Sequence, residues 1–490
     1  MTSKTSITFL VLALAGMLVS AGGSYYYISS QLNPVIRELE TKMSENLLEI
    51  QELNSSLLGS IERSVSQNNT ISELEDAIQS YETQIEDYQK QVDELLRVNN
   101  DTKQALDKYR KLSKEFYKMH PIKIGITAST ASDEPYTRYV SEKAEQDIHR
   151  YCLENDLPYR FDFVLGNNLG TSEMALGNVI TFDSLSIDLV VGHLWDSHCS
   201  ASLNYVNDND MLLLSPGSSS YELAHSDDNL FRLAPIETQQ LDVNIECMKM
   251  MGIEHVIVFA IKTDWGRMMS ESFEEKLSGT GIELVKVLYY PESPKILNPQ
   301  IIYLSDLVFN LTRHYGDEHV ALQLFDNGRL NEVFESGGGY SEDIIWFGTG
   351  DIVYAKHGGS RALLNVLLLS PVPTSTSSKF SEFSREILDN YGFNVSYYGA
   401  SAYDACWLYA LSIMEAGSTN VTMVRRAILN VSDNYIGVSG DCSLNGFGDR
   451  VRSDYNIMGF SRVGDDFIVF GEYNSTQKTV EFDIIHPKIP

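Results

Sequence analysis

A run of hydroxyl side chains follows a short apolar segment near the middle of the chain. The segment "MLLLSPGSSSYEL" (211–223) ends its apolar part at Ser-Pro-Gly and then presents Ser218, Ser219 and Ser220 before a stretch expected to be helical. Short hydroxyls and free backbone N–H groups at a helix start bind carboxylates through charge-assisted hydrogen bonds and the helix dipole. The alternative is a local role, in which Ser218 and Ser219 cap the helix whose first turn holds Glu222. The residues alone leave both interpretations open.

The elements around this segment alternate between strand-like apolar runs and amphipathic helices. After a break at His120-Pro121 the apolar runs are "IKIGITA", "DLVVGHL", "MLLLSP", "HVIVFAI", "LVKVLYY", "HVALQLF" and "IIWFG". Helices are predicted between them over Tyr136–Asn155, Thr238–Met251 and Met268–Ser278. This alternation indicates a doubly wound α/β fold, and residues 121–490 are numerous enough for two lobes. Ligands bind such sheets at the carboxyl ends of the strands, where the serine segment falls.

The charge balance and the cysteines exclude some partners. The chain of 490 residues carries 37 Lys and Arg against 67 Asp and Glu, a formal net charge of −30. Nucleic-acid binding needs a basic face, so no nucleic-acid partner is expected. The five cysteines show no C-x-x-C spacing and no third ligand stands near His193 and His198, so no metal or cofactor is expected. If the chain is exported, one or two disulfides can form, with Cys152–Cys199 and Cys406–Cys442 as candidate pairs.

The first thirty residues contain a segment long enough to span a membrane. It runs from Ile7 to Ile28 without a charge, and its 22 residues would cross a hydrocarbon core of about 30 Å as a helix. A cleaved signal peptide is the alternative, because "LVSAGG" offers small residues after an apolar core. The apolar run continues past that point and ends in three tyrosines suited to the membrane interface. We therefore expect an uncleaved, single-pass anchor over residues 1–30 in the cell membrane, with the remainder outside the cell.

A seven-residue repeat dominates residues 31–120. Apolar residues recur in one register from Ile36 to Phe116, with Glu, Gln and Lys at most other positions. The repeat predicts a coiled-coil stalk, and its β-branched residues favour a parallel homodimer. A long helix folded back on the domain is the alternative. The seam is polar between Ser60 and Gln67, where the stalk could bend.

Export is also consistent with N-glycosylation acceptors, which makes a glycoprotein one expectation. The N-x-[ST] sequons begin at Asn54, Asn68, Asn100, Asn310, Asn394, Asn420, Asn430 and Asn474.

Several segments between residues 122 and 473 resemble one family. The segments are "VVGHLWDSHCSASLNYVNDNDMLLLSPGSSSYEL", "NLFRLAPIETQQ", "VIVFAIKTDWGRMM", "YGASAYDACWLYALSI" and "GVSGDCSLNGFGDRVRSDYNIMGF". Together they resemble the periplasmic leucine/isoleucine/valine-binding proteins, the type I solute-binding components of ABC importers. The resemblance implies two lobes, joined by three crossovers, that close on a small ligand. Lobe 1 would comprise about 121–238 and 371–448, and lobe 2 about 239–370 and 449–484.

The resemblance also implies ligand-binding positions. Lobe 1 would hold a ligand carboxylate through strand-end hydroxyls and backbone N–H groups, here Ser197, Ser218 and Ser219. Glu237 would orient the ammonium group of the ligand, and Asp351 lies near an acidic position that contacts it. The remaining wall positions are Trp265, as an aromatic cover from lobe 2, and Tyr136 and Phe325.

The sequence departs from the family pattern at Trp195 and Asp196, where a small polar residue is usual. A carboxylate at Asp196 would repel a ligand carboxylate if it faced the cleft. With Glu237 and Asp351 it would form an acidic pocket that suits a cation or a polar amide. Asp196 could instead cap the helix after its strand.

The functional expectation is binding rather than catalysis. The chain shows no G-x-S-x-G, H-E-x-x-H or G-x-x-x-x-G-K-[ST] motif, so we expect no enzyme activity. We expect an extracellular, membrane-anchored solute-binding protein that captures an amino acid or a similar small polar solute and passes it to an ABC permease. The alternative is a ligand-sensing or structural cell-surface protein that acts through a partner.

Overall fold

The computed structural model describes residues 119–483 except 293–297, 327–343, 355–366 and 462–465, together with parts of 41–60 and of 79–104. The chain divides into two compact units, residues 1–122 with 146–161, and residues 123–145 with 162–490. The predicted anchor over residues 1–30 lies outside the described residues. Among the helices that are described, none combines the length and the apolar character needed to cross a membrane.

The described parts of residues 41–60 and 79–104 are helical. Two apolar residues of the predicted seam, Leu53 and Ile85, are exposed in the single chain. Helix is therefore present where the repeat predicts it, while the pairing of two such helices stays a prediction. Most of the polar part of the seam, residues 61–67, lies outside the described residues.

Two sheets carry the fold of the remaining chain. The first has the strand order β13-β5-β4-β3-β1-β2, and the second has the order β16-β15-β14-β10-β9-β8-β6-β7. The strands are β1 (Ile122–Ala128), β2 (Phe161–Asn167), β3 (Leu189–Val191), β4 (Leu212–Ser215), β5 (Leu230–Pro235), β6 (His255–Ile261), β7 (Glu283–Tyr290), β8 (Val320–Phe325), β9 (Ile345–Phe347), β10 (Leu367–Thr374), β11 (Ile436–Gly437), β12 (Gly440–Asp441), β13 (Asp449–Arg450), β14 (Asp454–Ser461), β15 (Asp466–Asn474) and β16 (Thr479–Phe482).

Helices connect most of the parallel strands. They are α1 (Glu134–Glu154), α2 (Ser172–Ser184), α3 (Asp196–Asp208), α4 (Gln239–Met250), α5 (Asp264–Leu277), α6 (Asn298–Tyr315), α7 (Gly350–Tyr354), α8 (Ser378–Tyr391), α9 (Tyr397–Ala416) and α10 (Val421–Ser432). The predicted doubly wound α/β architecture is confirmed, with parallel pairing in both sheets from β1 to β9.

The central strands are short and apolar because both of their faces are covered. Every residue of β4, β5, β6 and β8 is buried. Strands buried on both faces show continuous apolar runs rather than alternation, which is why these runs could be recognised in the sequence. Separate apolar cores lie on the two faces of the second sheet. Burial on both faces fixes the positions of these strands and therefore of the loops that follow them at the carboxyl edge of each sheet.

The chain passes between the two sheets at three places, and two of them lie later than predicted. The first passage joins β5 to α4. The second follows β10, which pairs with β14 as far as Thr374, beyond the predicted boundary at 370/371. Helix α9 then returns to the first sheet, where the hydroxyl of Tyr409 donates to the carbonyl of Leu212 at 2.8 Å. The third passage follows Arg450, because β13 pairs with β5 in the first sheet rather than belonging to lobe 2.

The cysteines are buried and unbridged, so both candidate disulfides are wrong. The thiols have other partners. The Sγ of Cys199 donates to the carbonyl of His193 at 3.3 Å, and the Sγ of Cys442 lies 3.7 Å from Oδ2 of Asp404. Burial raises the pKa of Cys199 to about 11, which keeps this thiol protonated at neutral pH.

Candidate functional site

The serine loop, residues 215–220, is held rigidly at the end of β4. Backbone N–H of Ser218 donates to Oγ of Ser215 at 2.9 Å, and that hydroxyl donates to the carbonyl of His193. A Cβ on Gly217 would lie 2.8 Å from the carbonyl oxygen of Leu194, so only glycine lets the loop pass this close to the neighbouring backbone. The Ser-Pro-Gly sequence thus makes a fixed turn with its hydroxyls at the carboxyl edge of the first sheet.

The helix predicted after the loop is a single 3₁₀ turn, Tyr221–Leu223. Its cap is Ser220, whose hydroxyl accepts a hydrogen bond from the N–H of Glu222 at 3.2 Å. The interpretation of Ser218 and Ser219 as helix caps is therefore wrong. One short turn also lacks the dipole of a full α-helix, so any anion bound here depends on individual donors.

The donors of the serine loop converge on a carboxylate of the protein itself. Oδ1 of Asp196 accepts from Oγ of Ser218 at 2.5 Å, from N–H of Ser219 at 2.9 Å and from N–H of Ser220 at 3.0 Å. Asp196 is the first residue of α3, and this position directs its side chain across to the end of the neighbouring strand β4. The loop therefore binds a carboxylate, and that carboxylate belongs to the chain itself. Binding of a solute carboxylate by the loop stays a prediction.

Glu237 lies on the first passage between the sheets and is held by two donors. Its Oε1 accepts from N–H of Tyr221 at 3.0 Å, and its Oε2 accepts from Nε1 of Trp265 at 2.8 Å. Burial, followed by the charges of Asp196 and Asp351, raises the pKa of Glu237 to about 7. The carboxyl of Glu237 is consequently poised to gain or lose a proton near neutral pH.

Trp265 and Phe325 have different roles from one another. Trp265 stands in the first turn of α5, half-buried, and its indole is fixed by Glu237. Phe325 is 0% exposed and packs edge-to-face against Trp265, with ring centroids 6.4 Å apart. Phe325 therefore packs against Trp265 and helps to fix the position of its indole. The prediction that Phe325 lines the cleft is wrong, because its ring is buried in the core of the second sheet.

Two acids at the edge of the second sheet add negative charge. Asp351 lies at the start of α7 and is exposed. Desolvation, followed by the charges of Asp196 and Asp326, raises the pKa of its carboxyl. Asp326 follows β8 directly, is 0% exposed and accepts a hydrogen bond from the hydroxyl of Tyr290 at 2.5 Å. The charge of Asp196, at the edge of the first sheet, thus acts on the carboxyl of Asp351, at the edge of the second sheet.

A cavity of about 460 Å³ opens at the carboxyl ends of β1 and β3. Its described lining is largely apolar and aromatic, and it comprises Ile126, Thr127, Ser129, Asp133, Tyr136, Thr137, Val140, Val191, Leu194, Trp195, Pro216, Ser396, Tyr398, Gly399 and Ala402. Tyr136 lies in this wall, where its hydroxyl accepts from N–H of Ser396 at 3.0 Å. The volume lies within the range of about 300–1,000 Å³ that is typical of small-molecule sites.

Ser197 is not brought to the serine loop. The residue is exposed on α3, and its backbone carbonyl accepts from the hydroxyl of Ser172 at 3.2 Å. The carboxylate that the serine loop holds is that of the neighbouring Asp196, and Ser197 makes none of the hydrogen bonds described for it. The structure therefore gives no support to Ser197 as a carboxylate ligand.

A buried polar network surrounds His193, whose carbonyl accepts the hydrogen bond from Ser215 of the serine loop. His193 Nδ1 lies 3.0 Å from Oγ1 of Thr127, and its Nε2 lies 3.0 Å from Oγ of Ser202. Burial, followed by the proximity of His198, lowers the pKa of His193 to about 3. This histidine is therefore neutral and structural at physiological pH.

Sequence reasoning missed Ser129, Asp326 and Tyr398 as residues of the site. Asp326 had a signal, since it is an acid placed directly after the buried strand β8. Ser129 likewise follows β1 directly. Tyr398 had no such signal, because it comes from α9, more than 250 residues beyond β1.

The described elements define a two-lobed α/β binding fold, and solved structures share it. An ABC transporter substrate-binding protein from Desulfitobacterium hafniense, also solved in complex with Leu, is 18% identical, with a TM-score of 0.57 over 71% of this chain and 100% of that chain. A leucine binding protein from Thermotoga maritima is 17% identical, with a TM-score of 0.52 over 75% of this chain and 99% of that chain. The fold is the type I periplasmic-binding fold that the sequence predicted.

Family membership follows from the sequence itself. The family described as the receptor family ligand binding region matches residues 144–462, more than half of the chain, and the chain belongs to this family. An uncharacterized protein of Methanocaldococcus jannaschii is 21% identical over 368 residues, which cover 69% of this chain and 85% of that protein.

Proposed function

We propose that this chain is a solute-binding protein that captures a small polar solute by closure of its two lobes. The observation that supports this most directly is the meeting of both sheets at the serine loop. Trp265, carried by α5 on the second sheet, bonds to Glu237, which in turn bonds to Tyr221 beside the loop of the first sheet. A solute that contacts both sides would favour the closed state.

The proposal includes delivery to an ABC permease from outside the cell. Its support is the type I fold, shared with proteins named as ABC transporter substrate-binding and leucine binding proteins. The uncharged segment over residues 7–28 supports anchoring in the cell membrane, and the heptad repeat supports a parallel homodimer through a coiled-coil stalk. The proposed role is transport or capture without catalysis.

A second candidate function is a ligand-sensing or structural surface protein that acts through a partner. The observation that favours it is the engagement of the serine-loop donors by Asp196. A loop satisfied from within the chain does not need a solute carboxylate in order to be stable.

A thermal-shift panel on the full-length protein tests the proposal. A solute that binds only the folded state raises the melting temperature. We expect a clear shift with one class among amino acids, amines, amides and dicarboxylates. Trp265→Ala should weaken that binding by more than about tenfold, equivalent to about 1.4 kcal/mol, because the aromatic cover is lost.

Trp407→Ala is the matched control for the loss of a large aromatic side chain. Trp407 is half-buried within α9, and it is not among the described residues that line the cavity or bond to Glu237. This variant should retain the affinity of the wild type. Equal losses in both variants, or no response of the wild type to any class, would favour the partner-dependent function instead.

A further inference from the structure

We infer that the solute is a small organic amine without a carboxylate group, and that Asp196 supplies from within the chain the carboxylate that the serine loop binds. This inference rests on the proposed function, because it names the solute class for the same site. It differs from binding of an amino acid, whose carboxylate would need donors of its own.

The first argument is the engagement of the loop's donors. One hydroxyl and two backbone N–H groups, from Ser218, Ser219 and Ser220, converge on the single oxygen Oδ1 of Asp196 at 2.5–3.0 Å. A solute carboxylate would have to displace Asp196 and leave its charge without these donors. Removal of a hydrogen-bonded partner from a carboxylate is costly, so anions are excluded from this position.

The second argument is the sign of the charge around the site. Asp196 and Glu237 both bond to Ser219, whose N–H donates to Asp196 Oδ1 at 2.9 Å and whose carbonyl accepts from the N–H of Glu237 at 2.9 Å. The charge of Asp196 also contributes to the raised pKa of Glu237 and of Asp351. None of the described residues that line the neighbouring cavity is Lys, Arg or His. A second anion would be repelled, whereas an ammonium group would offset the mutual repulsion of the acids.

The third argument is the cavity itself. Its lining includes Tyr136, Trp195 and Tyr398, aromatic residues of the kind that contact the apolar body of a solute and attract a cation. Trp195, which directly precedes Asp196, and Pro216 of the serine loop both line the cavity, so the cavity lies beside the contact between Asp196 and the loop. A volume of about 460 Å³ accommodates an amine of the size of an amino-acid side chain.

An unsatisfied hydroxyl in the cavity independently indicates a polar ligand. Ser129 lines the cavity, is 2% exposed, and its Oγ has no hydrogen-bond partner. Buried hydroxyls are nearly always hydrogen-bonded in folded proteins. Its oxygen can accept from an ammonium N–H, so a bound amine would satisfy it.

Matched pairs of compounds test the inference on the full-length protein. Each pair is an amino acid and the amine that lacks only its carboxylate: leucine and isoamylamine, tyrosine and tyramine, arginine and agmatine, lysine and cadaverine. Isothermal titration calorimetry should show at least one amine that binds tenfold or more tightly than its amino acid. An amino acid that binds as tightly as its amine, or more tightly, would overturn the inference while supporting the proposed function.

Removal of the Asp196 carboxylate tests its role directly. Asp196→Ala should lower the melting temperature, and acetate should restore part of the loss by entering the freed serine loop. Acetate should not stabilise the wild type. The control is Asp264→Ala. Asp264 is the first residue of α5, as Asp196 is of α3, but it pairs with Arg267 on the surface. Acetate that stabilises the wild type or Asp264→Ala as much as Asp196→Ala would contradict the assignment.

Asp196→Asn provides a second variant that keeps the fold. Its amide oxygen can still accept from the serine loop while the charge is lost, so the preference for amine over amino acid should fall by at least about tenfold, or about 1.4 kcal/mol. An unchanged preference would overturn the inference. Failure of every amine would also overturn it, and the wider solute panel with Trp265→Ala would then decide the proposed function separately.

Discussion

At the scale of single residues, the charge of Glu237 is determined by its neighbours. Its carboxyl is partly shielded from water, lies near Asp196 and Asp351, and has a pKa raised from 4.5 to about 7. The hydrogen bonds from Tyr221 and Trp265 act in the opposite direction, but they do not outweigh burial. The folded state therefore holds a proton on this group at a pH where the unfolded chain has lost it.

The stability of the free protein should consequently fall as pH rises from about 4.5 to about 7, insofar as Glu237 contributes. In this window the folded state binds more protons than the unfolded state, so raising the pH favours unfolding. Glu237→Gln should flatten that part of the profile in thermal melts at stepped pH. Replacement of the exposed Glu222 by Gln is the control and should leave the profile unchanged. A slope that persists in Glu237→Gln would show that other acids cause it.

At the scale of elements, β13 is held to the first sheet by a buried ion pair. Nε of Arg232, on β5, donates to Oδ1 of Asp449 at 2.6 Å, and both side chains are almost completely buried. The same guanidinium donates through Nη1 to the carbonyl of Ser220. One arginine therefore connects the third passage between the sheets with the serine loop.

Asp449→Ala should destabilise the protein by about 3–5 kcal/mol, because it leaves the Arg232 charge buried without its partner. Urea unfolding of the full-length protein measures this change. Asp264→Ala breaks an exposed pair with Arg267 and should cost less than about 1 kcal/mol. Similar costs for the two variants would mean that the buried pair does not hold β13 in place.

The strands could be predicted more closely than the contacts of the site. The segment "IKIGITA" coincides with β1. Its ends could be predicted because Pro121 precedes the apolar run and polar residues follow it. The contact between Asp196 and the serine loop could not be deduced, since it depends on the packing of α3 beside β4. The 3₁₀ turn after Ser220 was missed for the same reason, because the local sequence also permits a longer helix.

At the scale of the whole molecule, the heptad repeat predicts that two chains associate. Leu53 and Ile85 occupy seam positions and are exposed in the single chain, as expected of residues that a partner helix would cover. Dimerisation stays a prediction, while the helical conformation of the described residues is observed.

Light scattering of the full-length protein should give the mass of a dimer, and the double variant Leu53→Asp, Ile85→Asp should give a monomer. Charges in the seam would be buried against each other, which is unfavourable. Leu48→Asp alters an exposed leucine outside the seam and should remain dimeric. The melting temperature of the two-lobed part should be the same in all three proteins. A monomeric wild type would contradict the stalk as a dimerisation element.

The most direct test of the central claim is the fluorescence of Trp265 during titration with the tightest-binding solute. The titration uses a Trp195→Phe background, because Trp195 lines the cavity and would itself respond to a bound solute. Lobe closure should change the surroundings of the half-buried Trp265 indole, so this background should show a saturable change in intensity. Adding Trp265→Phe should abolish that change while calorimetry still detects binding. An unchanged signal in the Trp195→Phe background at saturating solute, or an equal signal after Trp265→Phe is added, would contradict closure of the lobes on a ligand at this site.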